Sequence, residues 1–263
     1  MRCLPHALAL LALLLTPGLS LAQPNVSMNL SWDRCAGDGR IVDRTFACDT
    51  NTGQDEFVGS VVFLDGVERD SLVDIVAFVD VTPAAPILPN WWSTYSNGCR
   101  LNALVPDWSG LSGASQCMPW FGDGTPLGVA GILSYYDRIV LQLVWALPSG
   151  QFASLAPGQE YSLFRIRLTH AKSTGTGACA GCTVPACIGF GRLNLDYVLP
   201  KPQEAIAGTG LNTLTWQGGY VAEYPTQIWP PPHQNNHYNV LSCTLAPVTV
   251  QGRTWGLIKT MYR

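Results

Sequence analysis

Nine cysteines in a chain of 263 residues, eight of them downstream of an export signal, constrain this sequence more tightly than any other feature. The chain opens with Arg2, an apolar run over 7–15, a helix-breaking Thr16-Pro17-Gly18, and then Ser20-Leu21-Ala22. That layout is a secretory signal peptide with an A-x-A-like cleavage site. Residues 1–22 are assigned to the signal and 23–263 to a single mature domain. The apolar run falls far short of the ~20 residues needed to cross a bilayer. The only other long apolar stretch, 139–147, is short and interrupted by Gln142, so no membrane span is expected after signal removal. The expected location is secreted, periplasmic or at the cell surface.

Cys3 leaves with the signal. Cys35, Cys48, Cys99, Cys117, Cys179, Cys182, Cys187 and Cys243 remain. An even set in an exported chain reads first as disulfides, although eight cysteines permit roughly a hundred pairings. Local pairing, Cys35 with Cys48 and Cys99 with Cys117, is expected for the first four, closing loops worth roughly 3 kcal/mol each in the chain-entropy model. Two other thiol chemistries compete. Cys179, Cys182 and Cys187 with His170 form a tetrahedral zinc set, but the second paired knuckle of structural zinc sites is missing. A redox role for Cys179-Ala-Gly-Cys182 calls for a helix start, whereas Gly181 and Pro185 make the segment an irregular loop.

Strand signals dominate the mature chain. Over 161–171, Phe164, Ile166 and Leu168 fall on one face and Arg165, Arg167 and Thr169 on the other, the period of a strand with one wet face. Over 139–145 both faces are apolar, because Val140 and Val144 oppose Ile139, Leu141, Leu143 and Trp145; that strand is expected between two packed layers. Segments 57–64, 74–81, 188–199, 212–216 and 240–250 read likewise, separated by Gly, Pro, Asn and Asp. The expected fold is all-β, an antiparallel β-sandwich with long loops over 83–128 and 201–239. Helix is expected at two places. One is 129–136. The other is a short carboxy-terminal helix capped by Thr254, with Trp255, Ile258 and Tyr262 at helical spacing.

With 47% apolar and only 13% charged residues, the chain is neither disordered nor a coiled coil. Its formal charge of −3 gives no electrostatic footprint for nucleic acid. The segment Cys179-Ala-Gly-Cys182-Thr-Val-Pro-Ala-Cys187 and the ending Arg253-Thr-Trp-Gly-Leu-Ile-Lys-Thr-Met-Tyr-Arg263, with Ala47-Cys-Asp-Thr-Asn-Thr-Gly53 and Thr215-Trp-Gln-Gly-Gly219, resemble a group of exported bacterial β-rich proteins with no known activity. The resemblance runs through most of the mature chain in order. It implies a bacterial envelope or secreted protein and carries over no catalytic residue.

No nucleophile elbow, phosphate loop, dinucleotide fingerprint or zincin helix occurs. His233 and His237 follow three prolines and read as loop histidines rather than a metal pair. Asp49, Asn51 and Asp55 place oxygen side chains at alternating positions, as a calcium loop does, without the usual glycine and closing glutamate. A structural calcium is the one cofactor the sequence suggests. Trp91 and Trp92 cannot both point inward if their segment is extended, so one is expected on the surface; the alternative is that both cover the ends of the sandwich beneath the loops. With Tyr95 the exposed indole would form a platform for a sugar ring or another protein. The reading reached is a disulfide-braced structural or adhesion module whose partner is an extracellular glycan or another envelope protein. A carbohydrate-binding module using these tryptophans is the alternative, and a secreted hydrolase the third.

Overall fold

A computed structural model describes residues 25–107, 117–122, 126–207, 210–223 and 241–245. The expected carboxy-terminal helix at 254–262, His233 and His237 lie outside them. About half of the chain is strand and, among the described residues, no helix reaches seven residues, so the expected all-β, sandwich-like fold is what forms. Chain order gives β1 (Val26–Trp32), a 3-10 turn at Ala36–Asp38, β2 (Asp43–Arg44), β3 (Gln54–Phe63) and β4 (Arg69–Pro83). A second 3-10 turn at Asn90–Trp92 precedes β5 (Leu104–Pro106), β6 (Met118–Pro119), β7 (Leu127–Ser134) and β8 (Ile139–Ala146). Then follow β9 (Ala153–Leu155), β10 (Glu160–Thr169), β11 (Ala186–Tyr197), β12 (Glu204–Ala207), β13 (Thr213–Trp216), β14 (Tyr220–Glu223) and β15 (Ser242–Leu245).

Two sheets pack face to face. The smaller runs β1-β3-β10-β5, with β6 beside β10; the larger runs β2-β13-β11-β4-β8-β7, with β12 beside β11 and β9 beside β4. The β14–β15 ribbon is fastened to β11 by the Cys187–Cys243 disulfide. The period-2 signal sets which side chains fill the space between the sheets. Phe164, Ile166 and Leu168 of β10 and Ile139, Leu141, Leu143 and Trp145 of β8 are all buried there. β1 carries the same period in Val26, Met28, Leu30 and Trp32, every one buried, a strand that the sequence reading did not assign. Trp32 Nε1 faces the carbonyls of Val42 (3.2 Å) and Thr215 (3.3 Å), tying β1 to the opposite sheet. Gly59 pairs with Phe164 across β3 and β10, where a Cβ would collide with the phenyl ring.

The cysteines pair at long range: Cys35–Cys117, Cys48–Cys182, Cys99–Cys179 and Cys187–Cys243. The local pairs expected from the sequence do not form. Proximity along the chain is a poor guide here because the loops bearing Cys48 and Cys99 both fold onto the loop of Cys179 and Cys182. The same bonds consume the three thiols of the zinc reading, and they fit a protein matured in an oxidising compartment. Among the described residues no helix is long and apolar enough to cross a membrane.

One end of the sandwich is pinned by Arg69, which is 7% exposed and donates to both oxygens of Asp65 (2.6 and 2.7 Å) and to Glu204 Oε1 (3.0 Å). The Tyr197 hydroxyl donates to Glu204 Oε2 at 2.7 Å. The hydrogen bonds from Arg69 hold the Asp65 carboxyl down at about 2. This network ties β12 to the β3–β4 hairpin.

Candidate functional site

Of the segment 129–136, expected as helix, 129–134 is strand and 135–136 begin the turn to β8. Val129, Ile132, Leu133 and Tyr136 recur at helical spacing, but β7 pairs residue for residue with β8, from Leu127 opposite Ala146 to Ser134 opposite Ile139. Tertiary pairing overrides a helical period in so short a run. Tyr135 N donates to Arg138 O at 2.8 Å, closing a tight turn between the two strands.

Directly opposed residues in an antiparallel pair share a face. The side of β8 turned away from the core therefore carries Val140, Gln142, Val144 and Ala146, continued on β7 by Leu133, Gly131, Val129 and Leu127 and on β4 by Val76 and Phe78. Val140 and Val144 are half-buried. The second packed layer expected over them is absent among the described residues. Crossing this outer face from β11, where it presents Arg192, Asn194 and Asp196, to β7, polarity gives way to aliphatic surface. Leu127 is 75% exposed, Val129 66% and Leu133 47%, with Tyr136 at 71% in the adjoining turn. On the inner side of β7, Ala130 and Ser134 are also exposed, because this edge reaches past the smaller sheet. β7 contains no charged residue and no proline.

At the polar end of the same face Asp74 stands opposite Asp196 in the β4–β11 register. Burial first, then the hydrogen bond and negative charge of Asp196, push the Asp74 carboxyl up to about 6. A carboxyl whose folded pKa exceeds its unfolded value of about 3.9 costs nothing below that value and destabilises the fold as pH rises toward the folded pKa. Stability should therefore fall between about pH 4 and pH 6 through this pair. Because Asp74 is only partly buried, solvent screening limits the effect to about 1 kcal/mol. Asp74→Asn should raise the denaturation midpoint at pH 7 and leave it unchanged at pH 4; equal stability of variant and wild type at both values would refute the assignment.

The residues singled out by sequence lie elsewhere. Trp91 and Trp92 form a 3-10 turn rather than extended chain, so strand alternation does not apply, and both are 0% exposed. Trp91 stacks on Trp216 at 5.2 Å and meets Trp92 edge-on at 4.9 Å, while its indole N–H donates to Ser173 Oγ at 3.0 Å. Tyr95 is half-buried against the same core. Neither indole offers a face to a sugar. In the 49–56 loop, Asn51 Oδ1 accepts from the backbone N–H groups of Ser173 (2.8 Å) and Thr174 (3.0 Å). Asp55 pairs with His170 Nε2 at 2.8 Å and Arg44 Nε at 3.3 Å. Asp49 is exposed. Two of the three oxygen donors thus fasten this loop to the Cys179–Cys182 loop instead of converging as a calcium cage, and no group of three or more His, Cys, Asp or Glu side chains converges among the described residues.

A cleft of 480 Å³ opens on another side, lined by Met118, Trp120, Phe121, Phe152 and Tyr161 together with Gln151. Phe152 is largely exposed at its rim, whereas Trp120 is buried with its indole N–H making no hydrogen bond. Sequence reasoning missed the open face of β7 because it took the extra apolar side of β8 as a sign of burial. The signal that could have found it is the tight turn at 135–138 between two runs of equal length, which marks a hairpin. Comparison of the chain with family models, with curated proteins and with solved structures found no match.

Proposed function

We propose that this chain is an exported, disulfide-braced structural or adhesion module that attaches to a protein partner through the open edge and outer face of its larger sheet. The observation that carries the reading is β7, an uncharged strand with Leu127, Val129 and Leu133 all exposed. Soluble proteins blunt sheet edges with charges, prolines or bulges, and leave aliphatic patches open chiefly where something docks. The four disulfides support a rigid body that keeps this face presented outside the reducing cytosol.

The test is fractionation of an exporting bacterial host. Wild-type protein should remain with the envelope or with assembled material, and the double variant Val129→Lys, Leu133→Lys should move to the soluble monomeric fraction. The bound share should fall at least about tenfold, or about 1.4 kcal/mol. Circular dichroism would establish that the variant keeps its fold, since both side chains point outward. Unchanged partition of a folded variant would overturn the reading.

A further inference from the structure

We infer that β7 pairs antiparallel with β7 of a second copy of this chain, about a twofold axis at Gly131. The inference rests on the reading that this edge is where the protein attaches, and adds the occupant and the register.

The turn decides which backbone groups are offered. Tyr135 N donates to Arg138 O, so Tyr135 and Arg138 form a hydrogen-bonded pair, and such pairs alternate along an antiparallel ladder. Leu133, Gly131, Val129 and Leu127 thereby bond β8. Gly128, Ala130, Ile132 and Ser134 direct their N–H and C=O groups away from it, toward the edge of the sheet. The pairing with β8 runs without a register shift, so no bulge twists the edge away. Other edges of the sandwich are managed. Along β1, Leu30 N donates to Leu211 O and Trp32 N to Ile41 O, while β5 and β2 are only three and two residues long.

A twofold contact requires a surface that complements itself. With the axis at Gly131, Gly128 meets Ser134 of the second copy and Ala130 meets Ile132, so each outward-directed residue exchanges both backbone bonds with another of the same set. Gly131 then lies opposite Gly131 in a non-hydrogen-bonded pair, where Cα atoms approach to about 4.5 Å. A Cβ built on Gly131 meets nothing within 4 Å, so the outer face above the axis is open. Val129 faces Leu133 of the second copy on either side of it, and such aliphatic cross-strand pairs stabilise a sheet. No like charges meet, because the strand has none. Shifting the axis by two residues in either direction runs the outward-directed set past the end of the strand and leaves part of it unpaired. One strand of this length buries less than a standard interface of about 1,600 Å², so association depends on concentration.

Sedimentation of the mature chain, at concentrations rising to submillimolar, tests the pairing. Wild-type protein should pass from monomer to dimer, and Ala130→Pro should weaken dimerisation at least about tenfold. The Ala130 N–H points to the open edge, so proline there removes an intermolecular donor and leaves the β8 ladder intact. Because that variant could also perturb the strand, register is tested separately. Gly131→Cys should cross-link into dimers under mild oxidation far more than Val129→Cys, whose thiols would lie on opposite sides of the axis. A monomer at every concentration, or equal cross-linking by the two cysteine variants, overturns the inference. If the chain stays monomeric and Ala130→Pro still releases it from the envelope, the self-pairing falls and the attachment reading stands. If Ala130→Pro changes neither property, both fall.

Discussion

Replacing Cys48 and Cys182 together by serine should lower the stability of the protein by about 4 kcal/mol, from the entropy regained by an unfolded chain released from the loop that this bond closes alongside the other three. The bridged residues are 134 positions apart. The bond joins the loop after β2 to the Cys179–Cys182 loop, and the Cys182 carbonyl accepts hydrogen bonds from Trp216 Nε1 (3.2 Å) and Gln217 Nε2 (3.1 Å). Losing the bond therefore also loosens the cover over the Trp91–Trp216 stack. Urea titration of wild type and double variant measures the change, and a loss below about 1 kcal/mol would contradict it. Peptide mapping of the unreduced protein should recover Cys48 with Cys182 and Cys99 with Cys179. A peptide joining Cys35 to Cys48 would contradict the fold itself.

Arg100→Leu should be comparably severe. Arg100 is 2% exposed, and its guanidinium donates to the carbonyls of Ala171 (2.8 Å), Trp91 (3.0 Å) and Thr169. It also lies 3.6 Å from the centroid of the Trp91 ring. Burial pushes its pKa down to about 9, which leaves it charged at neutral pH. The planar fork joins the end of β10 to the Asn90–Trp92 turn, and leucine would leave three acceptors without a donor in a dry site. Unsatisfied buried groups cost about 1–3 kcal/mol each, less whatever water enters, so a total of about 3–5 kcal/mol is expected. For a chain of this size that lowers the melting temperature by about 10 °C. Arg100→Lys should recover only part of it, because a single ammonium cannot span carbonyls arranged around a fork. A melting temperature within 2 °C of wild type for Arg100→Leu would show that the cation contributes little.

Strands with one clear period were legible and formed where the sequence placed them. The alternation of Phe164, Ile166 and Leu168 is β10, and that of Ile139 through Trp145 is the inner face of β8. Two readings went astray for one reason. An apolar side chain reports that something covers it or that something is meant to, and periodicity does not distinguish the two. Val140 and Val144 were assigned to an interior and lie half-buried on a face over which the described residues place no second layer. One of Trp91 and Trp92 was expected on the surface and both lie in the core, because three residues of 3-10 turn bring both indoles inward where an extended segment could not.

The sequence by itself determined a set of eight cysteines downstream of residue 22 suited to an oxidising compartment, and a β-sandwich with its main strands. These follow from composition and from contacts between residues close along the chain. Only the tertiary structure decided which cysteines join, which tryptophans are buried, and that 127–134 is, among the described strands, an edge strand with exposed aliphatic side chains. Each of these depends on pairs of residues distant in sequence, and local period and propensity carry no information about which distant partner arrives.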